Sequence, residues 1–162
     1  MKDPTHYYFS VFQTSAGKFS LAVNSEGAVV ATAFGGRESL ASRLKGGVLK
    51  PDSRRTASAR AQIVAWFQGK RRDFSVALSP AGSAFQKRVW AALKKIPFGS
   101  TRSYGDIARA IGSAPRAVGR ANATNPICVL VPCHRVIGAD GSLTGFAFGE
   151  DVKRRLLAFE EA

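Results

Sequence analysis

One of the two cysteines in this 162-residue chain directly precedes one of its two histidines, in the run Val131-Pro132-Cys133-His134-Arg135-Val136-Ile137-Gly138. A thiolate is the best soft nucleophile a protein offers, and it needs a proton acceptor and cationic neighbours to exist at neutral pH. His134 and Arg135 are residues of those types. The dipeptide alone is weak evidence, because a free cysteine is most often a small buried hydrophobe. Cys128, between Ile127 and Val129, reads as one. If the strand-like run Val129-Leu130-Val131 continued, adjacent side chains would point to opposite faces and His134 would not touch Cys133. Pro132 argues for local irregularity, and a bridging water could relay the proton.

A third group comes from the end of the chain. A helix from about Asp151 places Val152, Leu156 and Phe159 on one stripe, with Glu160 on its flank and Glu161 well away. A carboxylate drawn toward the core needs a partner, and His134 is a sensible one, since a carboxylate orients an imidazole. Position alone makes Glu160 a frayed terminal glutamate.

The elements before this block have a layout of their own. Ser103-Tyr104-Gly105-Asp106 has capping-box spacing, and Tyr104, Ile107, Ala108 and Ile111 recur at helical intervals. Gly112 ends that helix; Ser113 is expected to cap the next, with Pro115 in its first turn. Two short helices around a glycine turn match a helix-turn-helix. On the second, Ala117, Val118 and Ala121 share one face, and Arg116, Gly119, Arg120 and Ala123 the other. Small residues with arginines can approach a duplex closely. The plain alternative is a helical hairpin with a solvated basic face.

The charge balance bears on that choice. With 24 Lys plus Arg against 11 Asp plus Glu, the net charge is +13, which points to a polyanion, most simply nucleic acid. No apolar run approaches a membrane span, and Met1 to His6 lacks the apolar region of a secretory signal. Two cysteines make neither a disulfide framework nor a zinc site. A free thiol implies a reducing compartment, so the cytoplasm is expected. Nothing suggests an oligomer interface, so a monomer is expected.

The first half reads as mixed β and α. Phe19, Leu21 and Val23 alternate, Asn24 to Gly27 is turn-like, and Ala28 to Phe34 completes a hairpin. Helices are expected over Glu38 to Lys45 and Ala57 to Gln68, the second closed by Gly69 and Lys70-Arg71-Arg72. Phe74 to Leu78 alternates like an edge strand. Ser79-Pro80-Ala81-Gly82 looks like a linker, giving domains 1–78 and 79–162. Beyond it, Ser83 and Gln86 have capping-box spacing, and Phe85, Val89, Trp90 and Leu93 fall on one face of a helix that stops before Pro97-Phe98-Gly99.

From Phe85 to Glu160 these pieces resemble the O6-alkylguanine-DNA alkyltransferases, the methylated-DNA–protein-cysteine methyltransferases. The matching residues are Phe85-Gln86 with Val89-Trp90, Ile96-Pro97, Ser103-Tyr104-Gly105, Arg116-Ala117-Val118-Gly119, Asn125-Pro126, Pro132-Cys133-His134-Arg135-Val136, and Lys153 with Leu156-Leu157. The first half agrees more loosely, through the hairpin and Trp66-Phe67-Gln68-Gly69-Lys70-Arg71. The resemblance implies an α/β fold, with a ribonuclease-H-like N-terminal domain followed by a mostly helical domain bearing a winged-helix-like helix-turn-helix.

The resemblance also implies roles. Cys133 would take the alkyl group from guanine O6, and on weaker grounds from thymine O4, and keep it as a thioether. His134 would be the base, working through a water and oriented by Glu160, and Asn125 the hinge asparagine. Arg116 would hold the place of an extruded base, while Tyr104 crowds the 3′ phosphate. Ser103, Arg120 and Arg135 would face DNA, and Val131, Phe146, Ala147 and Phe148 would join Tyr104 around the substrate. The partner would be double-stranded DNA containing O6-alkylguanine, with no metal or cofactor. Phe146 stands where the family commonly has tyrosine, which removes a hydroxyl near guanine O6. Phe148 stands where glycine or tryptophan is common and would narrow the pocket. A non-catalytic damage sensor, a transcription regulator and a cysteine hydrolase are the competing readings; Cys133 argues against the first, the Pro-Cys-His-Arg block against the second, and the want of an oxyanion site against the third.

Overall fold

The computed structural model describes residues 4–162; Met1-Lys2-Asp3, part of the stretch read for a targeting signal, lies outside them. The chain divides into two compact units between Ala81 and Gly82, inside the stretch read as a linker.

The N-terminal unit is a four-stranded mixed sheet with two helices. Strands β1 (His6–Thr14), β2 (Gly17–Val23) and β3 (Val29–Phe34) form an antiparallel meander, and β4 (Val48–Pro51) pairs parallel with β1, giving the order β3-β2-β1-β4. The β2–β3 turn closes on Asn24, whose Oδ1 accepts from the N–H groups of Glu26 and Ala28, both at 3.0 Å. An asparagine side chain mimicking a backbone turn in this way is a common hairpin device. Residues Phe19 to Val23 are buried without interruption. Both faces of this central strand are therefore covered, whereas the alternation in the sequence exposes only one apolar face. Phe19 meets Phe67 of α2 (Ala57–Phe67) at 5.4 Å, and the Ser20 hydroxyl lies 3.4 Å from the Gly36 carbonyl at the head of α1 (Arg37–Ala41).

Three expectations for this unit change. Phe74 to Leu78 is not a strand: only Leu78 makes a bridge, to Val29. The Ser75 N–H, which a ladder would need, donates to the Gln62 side chain at 3.0 Å. Helix α1 ends at Ala41 rather than Lys45. The Ser42 hydroxyl there donates to the Ser39 carbonyl at 2.6 Å, a local bond that competes with helix continuation. Strands β1 and β4 add to the expected hairpin.

The C-terminal unit contains α3 (Ala84–Leu93), β5 (Arg102–Ser103), α4 (Tyr104–Ile111), α5 (Pro115–Ala123), β6 (Val136–Ile137) and α6 (Glu150–Glu161), with β5 and β6 paired parallel. Both expected capping boxes form, on Ser83 with Gln86 and on Ser103 with Asp106. Gly112 ends α4 in the left-handed conformation, at φ 70°, where a Cβ would be strained. Ala114, not Ser113, holds the N-cap position of α5 and makes no side-chain cap bond, while the Ser113 N–H closes α4 on the Ala108 carbonyl at 2.9 Å. Trp90 ties α3 to α5 by donating its indole N–H to the Ala121 carbonyl at 2.8 Å. Among the described residues, no helix is long and apolar enough to cross a membrane, and no cluster of three or more His, Cys, Asp or Glu could hold a metal ion.

Candidate active site and candidate nucleic-acid interface

The run before Cys133 is a folded-back turn, not a strand. Asn125 builds it from within: its Oδ1 accepts from the Ile127 N–H at 3.0 Å, and its Nδ2 donates to the Val131 carbonyl at 2.9 Å. The Val131 N–H closes the turn on the Ile127 carbonyl at 2.9 Å. Between them Val129 sits at φ 73°. A β-branched residue there is strained by roughly 1–3 kcal/mol and persists only where its surroundings over-determine it. Buried bonds from Asn125 supply that constraint.

The chain then makes one 3-10 turn over Cys133–Arg135, so successive side chains diverge by about a third of a turn rather than alternating between faces. Cys133 is buried, and its thiol is in no disulfide. His134, 0% exposed, hydrogen-bonds the Glu160 carboxylate through Nε2 at 2.7 Å. Arg135 grips the same carboxylate with Nε at 2.9 and 3.0 Å and with Nη2 at 2.8 Å, while its Nη1 donates to the Ile96 carbonyl at 2.7 Å. The Gly99 N–H adds a further donor at 3.1 Å. Glu160, two residues from the C-terminus, is 5% exposed and is the hub of the network, not a frayed end.

The electrostatics follow. Burial alone would push the Glu160 carboxyl up, but the bonds from His134, Arg135 and Gly99 outweigh it and hold its pKa at about 2. Burial pulls the His134 pKa below its ordinary value, with Arg135 and Lys153 adding to that, and the Glu160 bond only partly offsets it. Because Arg135 already matches the carboxylate's charge, the imidazole stays neutral at neutral pH. With Nε2–H donating to Glu160, the proton-accepting lone pair is on Nδ1.

Helix α6 presents this carboxylate by a stripe rotated from the one read in the sequence. Its buried residues are Lys153, Leu156 and Glu160, not Val152 and Phe159. Two charged residues face inward because each finds partners there, Lys153 donating to the Val136 carbonyl. Burial lowers the Lys153 pKa, against the pull of negative charge on Cys133 and Glu150. Its ammonium also lies 5.8 Å from the centroid of the Tyr104 ring.

Tyr104, half-buried at the start of α4, donates its hydroxyl to the Thr144 carbonyl at 2.8 Å. Gly145 packs so closely that a Cβ would stand 2.7 Å from that hydroxyl, so a side chain there would dislodge the tyrosine. Burial, then the proximity of Cys133, raises the Tyr104 pKa, which keeps the phenol protonated. Val131 and Phe146 are buried, Ala147 is exposed, and Phe148 is half-buried with its ring 5.8 Å from that of Phe146. Arg116 and Arg120 are exposed on α5. Ser103 is half-buried, its hydroxyl occupied as the α4 cap. Arg135 corrects an expectation: it is buried in the Glu160 ion pair and does not face solvent or DNA. Sequence reasoning misses Asn122. It sits on the inner side of α5 and donates to the Cys133 carbonyl at 3.3 Å.

A cysteine in a charged, buried turn, next to a helix pair with outward arginines, defines a cysteine-centred class with a nucleic-acid-binding scaffold. Residues 84–162 match the family described as 6-O-methylguanine DNA methyltransferase, DNA binding domain. Over 160 residues the chain is 45% identical to the methylated-DNA–protein-cysteine methyltransferase of Methanosarcina acetivorans, covering 94% of this chain and 97% of that protein. The Mycobacterium bovis protein of the same name is 52% identical over 114 residues, 69% of each chain. The crystal structure of Mycobacterium tuberculosis OGT in complex with DNA aligns with a TM-score of 0.83 at 41% identity, covering 96% of this chain and 92% of that one. This chain belongs to the methylated-DNA–protein-cysteine methyltransferase family.

Proposed function

We propose that this protein repairs alkylated DNA directly, moving the alkyl group from guanine O6 to Cys133 in a single turnover. The observation that carries the proposal is that buried Cys133 shares one turn of chain with His134 and Arg135, which are locked onto Glu160. The Cys133 proton passes through a water to Nδ1 of His134, and Glu160 stabilises the imidazolium that forms. The thiolate then attacks the alkyl carbon in line. The sulfur–carbon bond forms as the carbon–O6 bond breaks, and the electron pair goes to the guanine. Hydrogen bonds or proton donation to the guanine must offset the charge that develops there. Nothing in the site reverses the thioether, so each molecule reacts once.

O6 lies within the base pair, so the nucleotide must leave the stack, at a cost of roughly a few kcal/mol. Arg116 fills the gap, Arg120 contacts the backbone and Tyr104 crowds the 3′ phosphate; the exposure of both arginines on α5 supports this. Ser103 contributes through the α4 N-terminus, and Asn125 braces the turn beneath the nucleophile. Val131, Phe146, Ala147 and Phe148 border the base, with Phe148 narrowing the room for large alkyl groups. O4-alkylthymine is a second, weaker substrate. The N-terminal unit is read as ribonuclease-H-like, on its mixed sheet with helices. The α4–α5 pair with the β5–β6 ribbon is read as winged-helix-like. All the proposed catalytic groups come from one chain, as a monomer requires, and a nucleophilic thiol suits the cytoplasm.

Mass spectrometry after mixing with duplex DNA carrying one O6-methylguanine tests the reading. One added methylene unit on Cys133, with stoichiometric loss of the lesion, is the expected result. Tight binding with an unmodified protein would make this a damage sensor instead.

A further inference from the structure

Asn122 is 2% exposed, yet it occupies the inner face of α5, beside Val118 and Ala121, where an apolar residue would be the ordinary choice. Its Oδ1 has no hydrogen-bond partner among the described residues. A buried acceptor left in that state costs stability, so the polar end is not explained by folding. The donor end is engaged. One N–H of Nδ2 goes to the Cys133 carbonyl at 3.3 Å. The Tyr104 ring packs against the same helix, 3.9 Å from where a Cβ on Gly119 would stand, and the Asn122 side chain partly counters the effect of burial on the phenol. Because Tyr104 spends its own hydrogen on the Thr144 carbonyl, its oxygen can act only as an acceptor toward Asn122. The same helix carries Arg116 and Arg120 on its outer side.

We propose that Asn122 is a positioning residue for alkyl transfer, fixing the backbone of Cys133 from the DNA-facing helix with its side-chain amide. The inference rests on Cys133 being the alkyl acceptor. Cys133 lies outside α5, so loss of the amide loosens the nucleophile from that helix.

The test compares wild type with Asn122→Leu on duplex DNA carrying O6-methylguanine, under single-turnover conditions. The maximal transfer rate should fall roughly ten- to hundredfold, as expected for a misplacement of about 1 Å. The half-saturating DNA concentration should stay within about twofold, because Arg116 and Arg120 remain in place. Tyrosinate absorbance, assigned with Tyr104→Phe, should show the Tyr104 phenol ionising at higher pH in the Asn122→Leu variant, a shift that a merely structural role would not produce. An Asn122→Leu chain that folds, with a wild-type rate and an unmoved phenol, overturns the proposal. If Asn122→Leu does not fold, Asn122→Ser and Asn122→Asp decide it. Serine keeps one donor and should retain more of the rate than aspartate, which keeps none; equal, wild-type rates in both overturn it. Should wild type itself leave Cys133 unmodified, the function reading fails, whereas modified wild type with unimpaired variants removes only this inference.

Discussion

The two units bury different things. Among the described residues, the polar groups buried in the N-terminal unit are Ser10, Ser20, Thr32 and Thr56, all hydroxyls, beneath a core that includes Phe19, Leu21, Ile63 and Trp66. The C-terminal unit buries Asn122, Asn125, His134, Arg135, Lys153 and Glu160. It also holds Val129 at a positive φ. The first unit is stabilised by apolar area, which many side chains of similar volume could supply. The second takes charges out of water and recovers the cost only through specific partners, an arrangement that favours one geometry more than it adds stability. Among the described residues, the non-glycine positive φ and the buried charged residues both fall in the unit that carries Cys133, where rigid placement of a nucleophile matters.

The sharpest way to break this contrast is Cys133→Ala. Transfer should be abolished while circular dichroism is unchanged; alkyl groups found on Cys128 instead would show the charged network not to be specific to one thiol. Next in size is Glu160→Gln, which leaves Arg135 buried without its carboxylate and should cost about 3–5 kcal/mol in denaturant unfolding. Phe19→Leu in the other unit should cost only about 1 kcal/mol. Equal losses would end the distinction.

Acid should separate the units as well. His134 titrates below its ordinary 6.5 because it is buried, so the unfolded chain takes up that proton first and stability falls as pH drops below about 6.5. Glu160 is held at about 2 against an ordinary 4.5, so its contribution is complete above 4.5 and is lost as pH falls toward 2. Hydrogen exchange, corrected for intrinsic rates, should lose protection in α6 and around Cys133–Arg135 before it does in β2 and β3. Loss first in the strands would contradict this. Arg116→Ala should weaken binding to DNA and, if the side chain meets a phosphate, flatten the salt dependence by about one counterion. The smallest effect belongs to Ser20→Ala, expected to cost under about 1 kcal/mol, because both bonds from that hydroxyl are long at 3.4 Å.

How much of this is legible depends on whether the signal is local. The boxes at Ser83 and Ser103, the Gly112 stop and helix α2 are readable because each is set by a few neighbouring residues. Strand β4 is not, since four residues ending in Pro51 become a strand only by pairing with β1. Phe74 to Leu78 has the alternation of a strand but loses its ladder donor to Gln62, thirteen residues earlier. The α6 stripe misleads for a related reason. Hydropathy leaves Lys153 outside and Glu160 only on the flank, and the partners waiting for them turn that face inward. Asn122 leaves no local signal, because the Cys133 carbonyl it serves lies elsewhere in the chain.

The residue types and their order were enough to single out Cys133, His134 and Glu160, the basic helix pair and the family resemblance, because reactive chemistry needs particular side chains wherever they lie. Tertiary structure alone decided that Arg135 turns inward to share Glu160 rather than outward to DNA. It also decided that the chain before Cys133 folds into a strained turn rather than a strand, and that Asn122 joins the helix pair to the nucleophile. Each of those outcomes depends on which buried charge or donor finds a partner across many residues, and such pairings exist only once the chain has folded.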